Sequence, residues 1–134
     1  MSFTLHPRLA ADTHFIADWP QSRLLLMNDA RYFWLILVPR ISDLTEITDL
    51  SPADRAHLME EAARAGVIIR HAGAAKLNIG ALGNLVPQLH LHVIGRAPGD
   101  PAWPGPVWGH SNPVSYPDTL LAERIALLRS RTEN

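Results

Sequence analysis

The chain has 134 residues, with 12 basic and 13 acidic side chains, no cysteine, 47% hydrophobic and 19% charged residues. That composition fits one globular domain over residues 1–134 and excludes a disulfide scaffold, a thiolate nucleophile and a cysteine-ligated zinc site. A formal charge of −1 offers no field for a nucleic acid backbone, so no nucleic acid partner is expected. Tyr32 to Val38 is too short to span a bilayer and Met1 to Pro7 has no charged segment leading into an apolar run, so no membrane partner and a cytoplasmic location are expected.

In chain order, Leu5 to Ala11 reads as a short helical turn and Thr13 to Ile16 as a short strand. Arg23 to Met27 and Tyr32 to Val38 flank Asn28-Asp29-Ala30-Arg31, a turn signal between two apolar runs, which predicts a β-hairpin ended by Pro39. Ser51-Pro52-Ala53-Asp54 is the clearest helix start, with a capping hydroxyl, proline at the first position and an acid near the positive end. Apolar residues at 58, 59, 62, 63 and 67 predict one buried face, with Leu58, Met59 and Ala62 in the core, and Gly73 is placed to end the helix. Lys76 to Gly80 and Val86 to Ile94 read as strands around a loop with two glycines. Residues 97–117 hold six of the eleven prolines and two of the four tryptophans, which predicts an irregular ordered loop; Leu120 to Arg129 reads as a terminal helix. The order of elements predicts an α+β domain.

Chemistry concentrates in Gly83-Asn84-Leu85-Val86-Pro87-Gln88-Leu89-His90-Leu91-His92-Val93-Ile94. On a strand, Gln88, His90 and His92 share one face while Leu89, Leu91 and Val93 point into the core, and that apolar face fixes the register. With a pKa of about 6.5, roughly three quarters of free imidazole is neutral at pH 7 and able to attack phosphorus. A second imidazole roughly 7 Å away disfavours protonating both, by at most about 2 kcal/mol at an effective dielectric near 20. The attacking ring needs an acceptor on its other nitrogen, which a backbone carbonyl of a strand neighbour can provide. The glycine loop offers amides that can surround a phosphate.

This segment resembles the histidine-triad (HIT) family, whose hallmark is His-φ-His-φ-His-φ-φ (φ apolar) after a Gly-Gln-Ser/Thr type loop. The resemblance covers about residues 20–98. Leu24 to Asn28 is similar to the family's strand ending at a ribose-contacting Asn or Asp. Leu35-Ile-Leu-Val-Pro39-Arg40 is similar to its "LV-P-K/R" strand, and Asp49-Leu50-Ser51-Pro52 to the start of its long helix. Asn78 and Gly83-Asn84 fall in its phosphate loop. The resemblance implies an antiparallel sheet of about five strands with one long helix and a C-terminal helix. It implies a homodimer and attack by His90 on the α-phosphate of a dinucleoside polyphosphate or nucleoside phosphoramidate through a nucleotidyl-histidine, with His92 on the phosphate and no required cofactor. Asn28, Asn78, Gly83 and Asn84 become the nucleotide- and phosphate-binding candidates. In this chain Gln88 replaces the first histidine, Leu85 stands where many members have Ser or Thr, and Phe33-Trp34 where many have Gly-His.

Two other functions are compatible with the sequence: a nucleotide-binding module that has lost catalysis, and a His-x-His metal site, which needs a third ligand that no familiar spacing supplies. Trp103 and Trp108 are read either as packing of the proline-rich loop or as a stacking surface for a base or a second subunit. His71 is assigned a structural place near a helix end, His110 no role. Arg124, Arg129 and Arg131 are assigned to a solvated helix face.

Overall fold

A computed structural model describes residues 2–132. The elements are α1 (Pro7–Asp12), β1 (Thr13–Asp18), β2 (Ser22–Met27), β3 (Phe33–Pro39), a 3-10 turn (Ile47–Asp49), α2 (Pro52–His71), β4 (Lys76–Gly80), β5 (Leu91–Arg96) and α3 (Asp118–Thr132). The five strands form one antiparallel sheet in the order β1-β2-β3-β5-β4. The expected α+β class, five-stranded sheet, long helix and terminal helix are all present.

β2 and β3 form the hairpin, with Leu25 opposite Ile36, and the turn closes through Tyr32 N–H to the Asp29 carbonyl. Pro39 pairs with Ser22 as the last residue of β3. α2 starts as its sequence dictates: Ser51 Oγ accepts from Asp54 N–H at 3.1 Å and Pro52 occupies the first position. It ends at His71, followed by Gly73 at φ +112°.

The face that α2 buries is rotated from the expected one. Leu58, Ala62, Ala65 and Ile69 are interior, whereas Met59, Ala63 and Val67 lie on an exposed stripe. Counting apolar residues alone does not separate these two stripes, the buried one at steps of four, three and four and the exposed one at steps of four. α2 lies on β3, β4 and β5 and α3 on β1, closing the main core around Leu24, Leu26, Leu35, Leu37, Leu91 and Val93. α3 is more than a solvated face. Arg124 stacks over Phe33 at 4.0 Å, and Arg129 donates to the Ile16 carbonyl at 3.2 Å.

The sheet's other face carries a second apolar cluster that includes Leu9, Leu25, Trp34, Ile36, Ile94 and Val107. Helix α1 and the proline-rich loop cover it from two sides. Buried Arg96 anchors that loop by pairing with Asp100 at 2.8 Å and donating to the Gly105 carbonyl at 2.9 Å, while Arg31 and Asp29 hold residues 110–114. The Arg96 guanidinium holds the Asp100 carboxyl down at about 2. No helix among the described residues is long and apolar enough to cross a membrane.

Candidate functional site

β5 begins at Leu91, five residues later than expected. Pro87 has no amide to donate, and Leu89 N–H bonds the Leu44 carbonyl at 2.9 Å instead of a strand neighbour. The alternation survives in part: Leu89, Leu91 and Val93 enter the main core, and His92 lies on the opposite face with Ile94.

His90 and His92 come together. Their ring centroids are 4.9 Å apart at 66°, closer than two residues along an ideal strand, because His90 lies just before the ladder. Both are buried, with 7% and 5% exposure, and both line a cleft of about 320 Å³. Its floor is Met27 and Ile36, one rim is Gly83 and Asn84, and Trp108 stands at another side. Gly83 sits at φ +73°, a conformation that favours glycine, and so lets the loop bend over the cleft. Among the described residues, the amides of Leu82 to Val86 donate to no protein acceptor.

Hydrogen bonds assign each ring a tautomer. His90 Nδ1 lies 2.7 Å from the Gln88 carbonyl oxygen, which can only accept, so Nδ1 carries the proton and Nε2 keeps its lone pair. Trp34 Nε1, which can only donate, lies 2.9 Å from His92 Nδ1, so the neutral ring of His92 carries its proton on Nε2. Burial, reinforced by the neighbouring His90, pushes the His92 pKa down to about 3 and keeps that ring neutral. A lone pair on one ring thus adjoins an N–H on the next. Trp34 and Trp108 pack against His92 at 5.7 and 5.3 Å, and Trp108 rests on Gly80.

Other candidates fall outside this cleft. The Asn28 carboxamide is occupied by the linker before α3: its Oδ1 accepts from Tyr116 N–H at 3.0 Å and its Nδ2 lies 3.4 Å from Ser115 Oγ. Asn78 Oδ1 accepts from Arg96 Nη1 at 2.7 Å, so it belongs to the loop anchor. Gln88 contributes its carbonyl, but its carboxamide turns to the N-terminal segment and does not share the imidazole face. Trp103 packs under Arg96, and His110 is exposed beside Ser111. Among the described residues no three His, Asp or Glu side chains converge as a metal-binding cluster.

Sequence reasoning missed three contributors. Trp34 was legible only as a departure from a pattern. Arg8 and Thr13 reach the cleft from α1 and the start of β1, without a local motif to signal it. A larger cavity of about 780 Å³, lined by Gln21, Asp54, His57 and Glu61, holds none of the expected site residues.

The family's HIT domain model matches residues 8–99, well over half of the chain. The chain belongs to the histidine-triad family. Solved HIT structures bear this out along nearly the whole length. A histidine triad protein from Bradyrhizobium japonicum is 46% identical, with a TM-score of 0.95 over 98% of this chain and 99% of that one. One from Marinobacter aquaeolei is also 46% identical, with a TM-score of 0.95 over 99% and 98%. One from Sinorhizobium meliloti is 44% identical, with a TM-score of 0.93 over 96% of each chain. No curated protein matches the chain. The HIT match starts at Arg8 rather than near residue 20, so α1 and β1 are part of the family's domain.

Proposed function

We propose that this HIT protein is a nucleotidyl hydrolase or transferase that cleaves a dinucleoside polyphosphate or nucleoside phosphoramidate at its α-phosphate. The observation that carries this reading is the 2.7 Å contact from His90 Nδ1 to the Gln88 carbonyl, which leaves Nε2 free to attack. In the first step the Nε2 lone pair forms a bond to the α-phosphorus and the bond to the leaving group breaks. The ring becomes a cation whose Nδ1–H is held by the Gln88 oxygen. A polyphosphate departs as an anion; an amine leaving group takes a proton from solvent. Water then attacks phosphorus and loses a proton to solvent, the P–N bond breaks with its electron pair returning to Nε2, and a nucleoside monophosphate leaves with the water-derived oxygen. His92 Nε2–H and the unpaired amides of residues 82–86 are the donors for the phosphoryl oxygens.

In this reading Gln88 occupies the position of the triad's first histidine, and the substitution is tolerated because the main-chain oxygen, rather than the side chain, holds the nucleophile. A binding module without turnover is the second reading; the exposed Leu85, which offers no hydroxyl to phosphate, favours it. The two separate in a turnover assay with adenosine phosphoramidate and diadenosine polyphosphates. Catalysis predicts product formation that survives a chelator and falls roughly a thousandfold or more in His90→Ala. Nucleotide binding without product in the wild type favours the module.

A homodimer is proposed through β4, whose outer edge is unpaired in the sheet. The exposed stripe Met59, Ala63 and Val67 on α2 and the half-exposed Ile79 on β4 supply apolar surface for that contact. The substrate is a nucleotide, and the location proposed is the cytoplasm.

A further inference from the structure

Residues 4–12 form an arm whose helical end, from Arg8 to Asp12, lines one rim of the cleft, and the reaction above gives it no role. Leu5 and Leu9 pack into the apolar cluster on that face of the sheet, and Arg8, Leu9 and Asp12 reach the cleft. The hydrogen bonds that fasten the start of this arm come from a single side chain. Gln88 Oε1 accepts from His6 N–H at 2.9 Å and Gln88 Nε2 donates to the Thr4 carbonyl at 2.9 Å. His6 Nδ1 in turn accepts from Arg8 N–H at 3.1 Å and closes the first turn of α1. Gln88 therefore holds the arm through its carboxamide and His90 through its carbonyl.

Charge gives the arm a purpose. A polyphosphate carries several negative charges, while the buried, uncharged ring of His92 supplies none to offset them. Among the described residues lining the cleft, Arg8 is the only Arg or Lys. Its own partner is Asp12, four residues on at 3.7 Å, with the two side chains 60% and 52% exposed. Such a pair is weak in water and yields readily to a phosphate, for which a guanidinium fork is well matched. Position matters as well. The α-phosphorus must meet buried His90, whereas Arg8 lines the same cleft with its side chain 60% exposed, so phosphates that extend from the α position toward solvent can meet it.

We propose that Arg8, on an arm latched by Gln88, binds the phosphates beyond the α-phosphate and makes the cleft selective for nucleoside polyphosphates over monophosphates. This rests on the nucleotide reading above. The test is calorimetric titration of adenosine 5'-(α,β-methylene)triphosphate and AMP into wild type, Arg8→Ala and Arg8→Lys. Wild type is expected to prefer the triphosphate by about tenfold, the contribution of one partly exposed charge-assisted contact. Arg8→Ala should bind AMP as before but lose the preference, and Arg8→Lys should recover part of it. A preference unchanged in Arg8→Ala, or no preference in wild type that still binds AMP, overturns the role of Arg8 alone. A wild type that binds neither nucleotide overturns the nucleotide reading with it. The latch is tested by amide exchange: the His6 N–H should be protected in wild type and exchange faster in Gln88→Ala. Equal rates contradict the latch.

Discussion

Trp34 and Gln88 hold the two imidazoles in complementary tautomers, and the consequences can be measured one residue at a time. Trp34→Phe keeps an aromatic ring but removes the donor to His92 Nδ1, leaving a buried acceptor unpaired. The expected cost is about 1–3 kcal/mol, with nitrogen chemical shifts showing His92 no longer confined to the Nε2–H form. The depressed pKa of His92 also makes stability depend on pH. The unfolded chain takes up a proton near pH 6.5, while the folded ring resists it down to about 3. Its contribution is therefore complete above 6.5 and declines as pH falls toward 3, by up to about 1.4 kcal/mol per pH unit. Urea unfolding between pH 4 and 7 should show this slope in wild type and a shallower one in His92→Asn; equal slopes contradict the assignment. That His90 and His92 come together was legible from their alternation with Leu89, Leu91 and Val93. The backbone acceptor for His90 was legible too, but the donor that fixes the His92 proton was not, because Trp34 and His92 lie on strands paired only in the fold. Asn28 and Asn78 show the opposite failure. Their residue type suits a ligand, but linker and loop groups distant in sequence claim them first.

Among the elements, β5 and α2 meet at a closeness that only a missing side chain permits. A Cβ on Gly95 would lie 2.6 Å from Ile69 Cγ2 and 3.0 Å from Ala74 Cβ. Gly95→Ala is expected to destabilise by about 1–3 kcal/mol, read from the urea midpoint, because two packed elements must separate. The helix start, the hairpin and the extent of β4 could be read directly from Ser51-Pro52, from the turn at Asn28 to Arg31 and from the flanking glycines. The start of β5 could not. Apolar alternation continues back to Val86, but Pro87 and the bond from Leu89 to Leu44 end the ladder there. The rotation of α2 has a similar cause. Periodicity counts apolar residues without distinguishing a stripe facing the sheet from one left exposed on the outside of the helix.

At the scale of the molecule, helices close one face of the sheet, while α1 and the proline-rich loop leave a slot on the other that ends at His90 and His92. The sequence announces both elements, the helical turn and the proline-rich loop, but not that they cover this face. The loop is held by Arg96 and Asp29 and the start of the arm before α1 by Gln88; the contacts of Asp29 and Gln88 span more than eighty residues of chain. The exposed stripe on α2 and Ile79 on β4 make the proposed dimer testable. Val67→Glu together with Ile79→Lys should convert a dimer to a monomer in analytical ultracentrifugation with the helical circular dichroism retained. A wild type that sediments as a monomer at micromolar concentration contradicts the β4 contact. His90 Nε2 is proposed as the atom that takes the nucleotide. Wild type mixed with a dinucleoside polyphosphate or adenosine phosphoramidate, quenched in alkali and weighed intact, should gain the mass of one nucleotidyl group, mapped to His90 and absent from His90→Ala. Turnover without that adduct, or an adduct elsewhere on the chain, would contradict it.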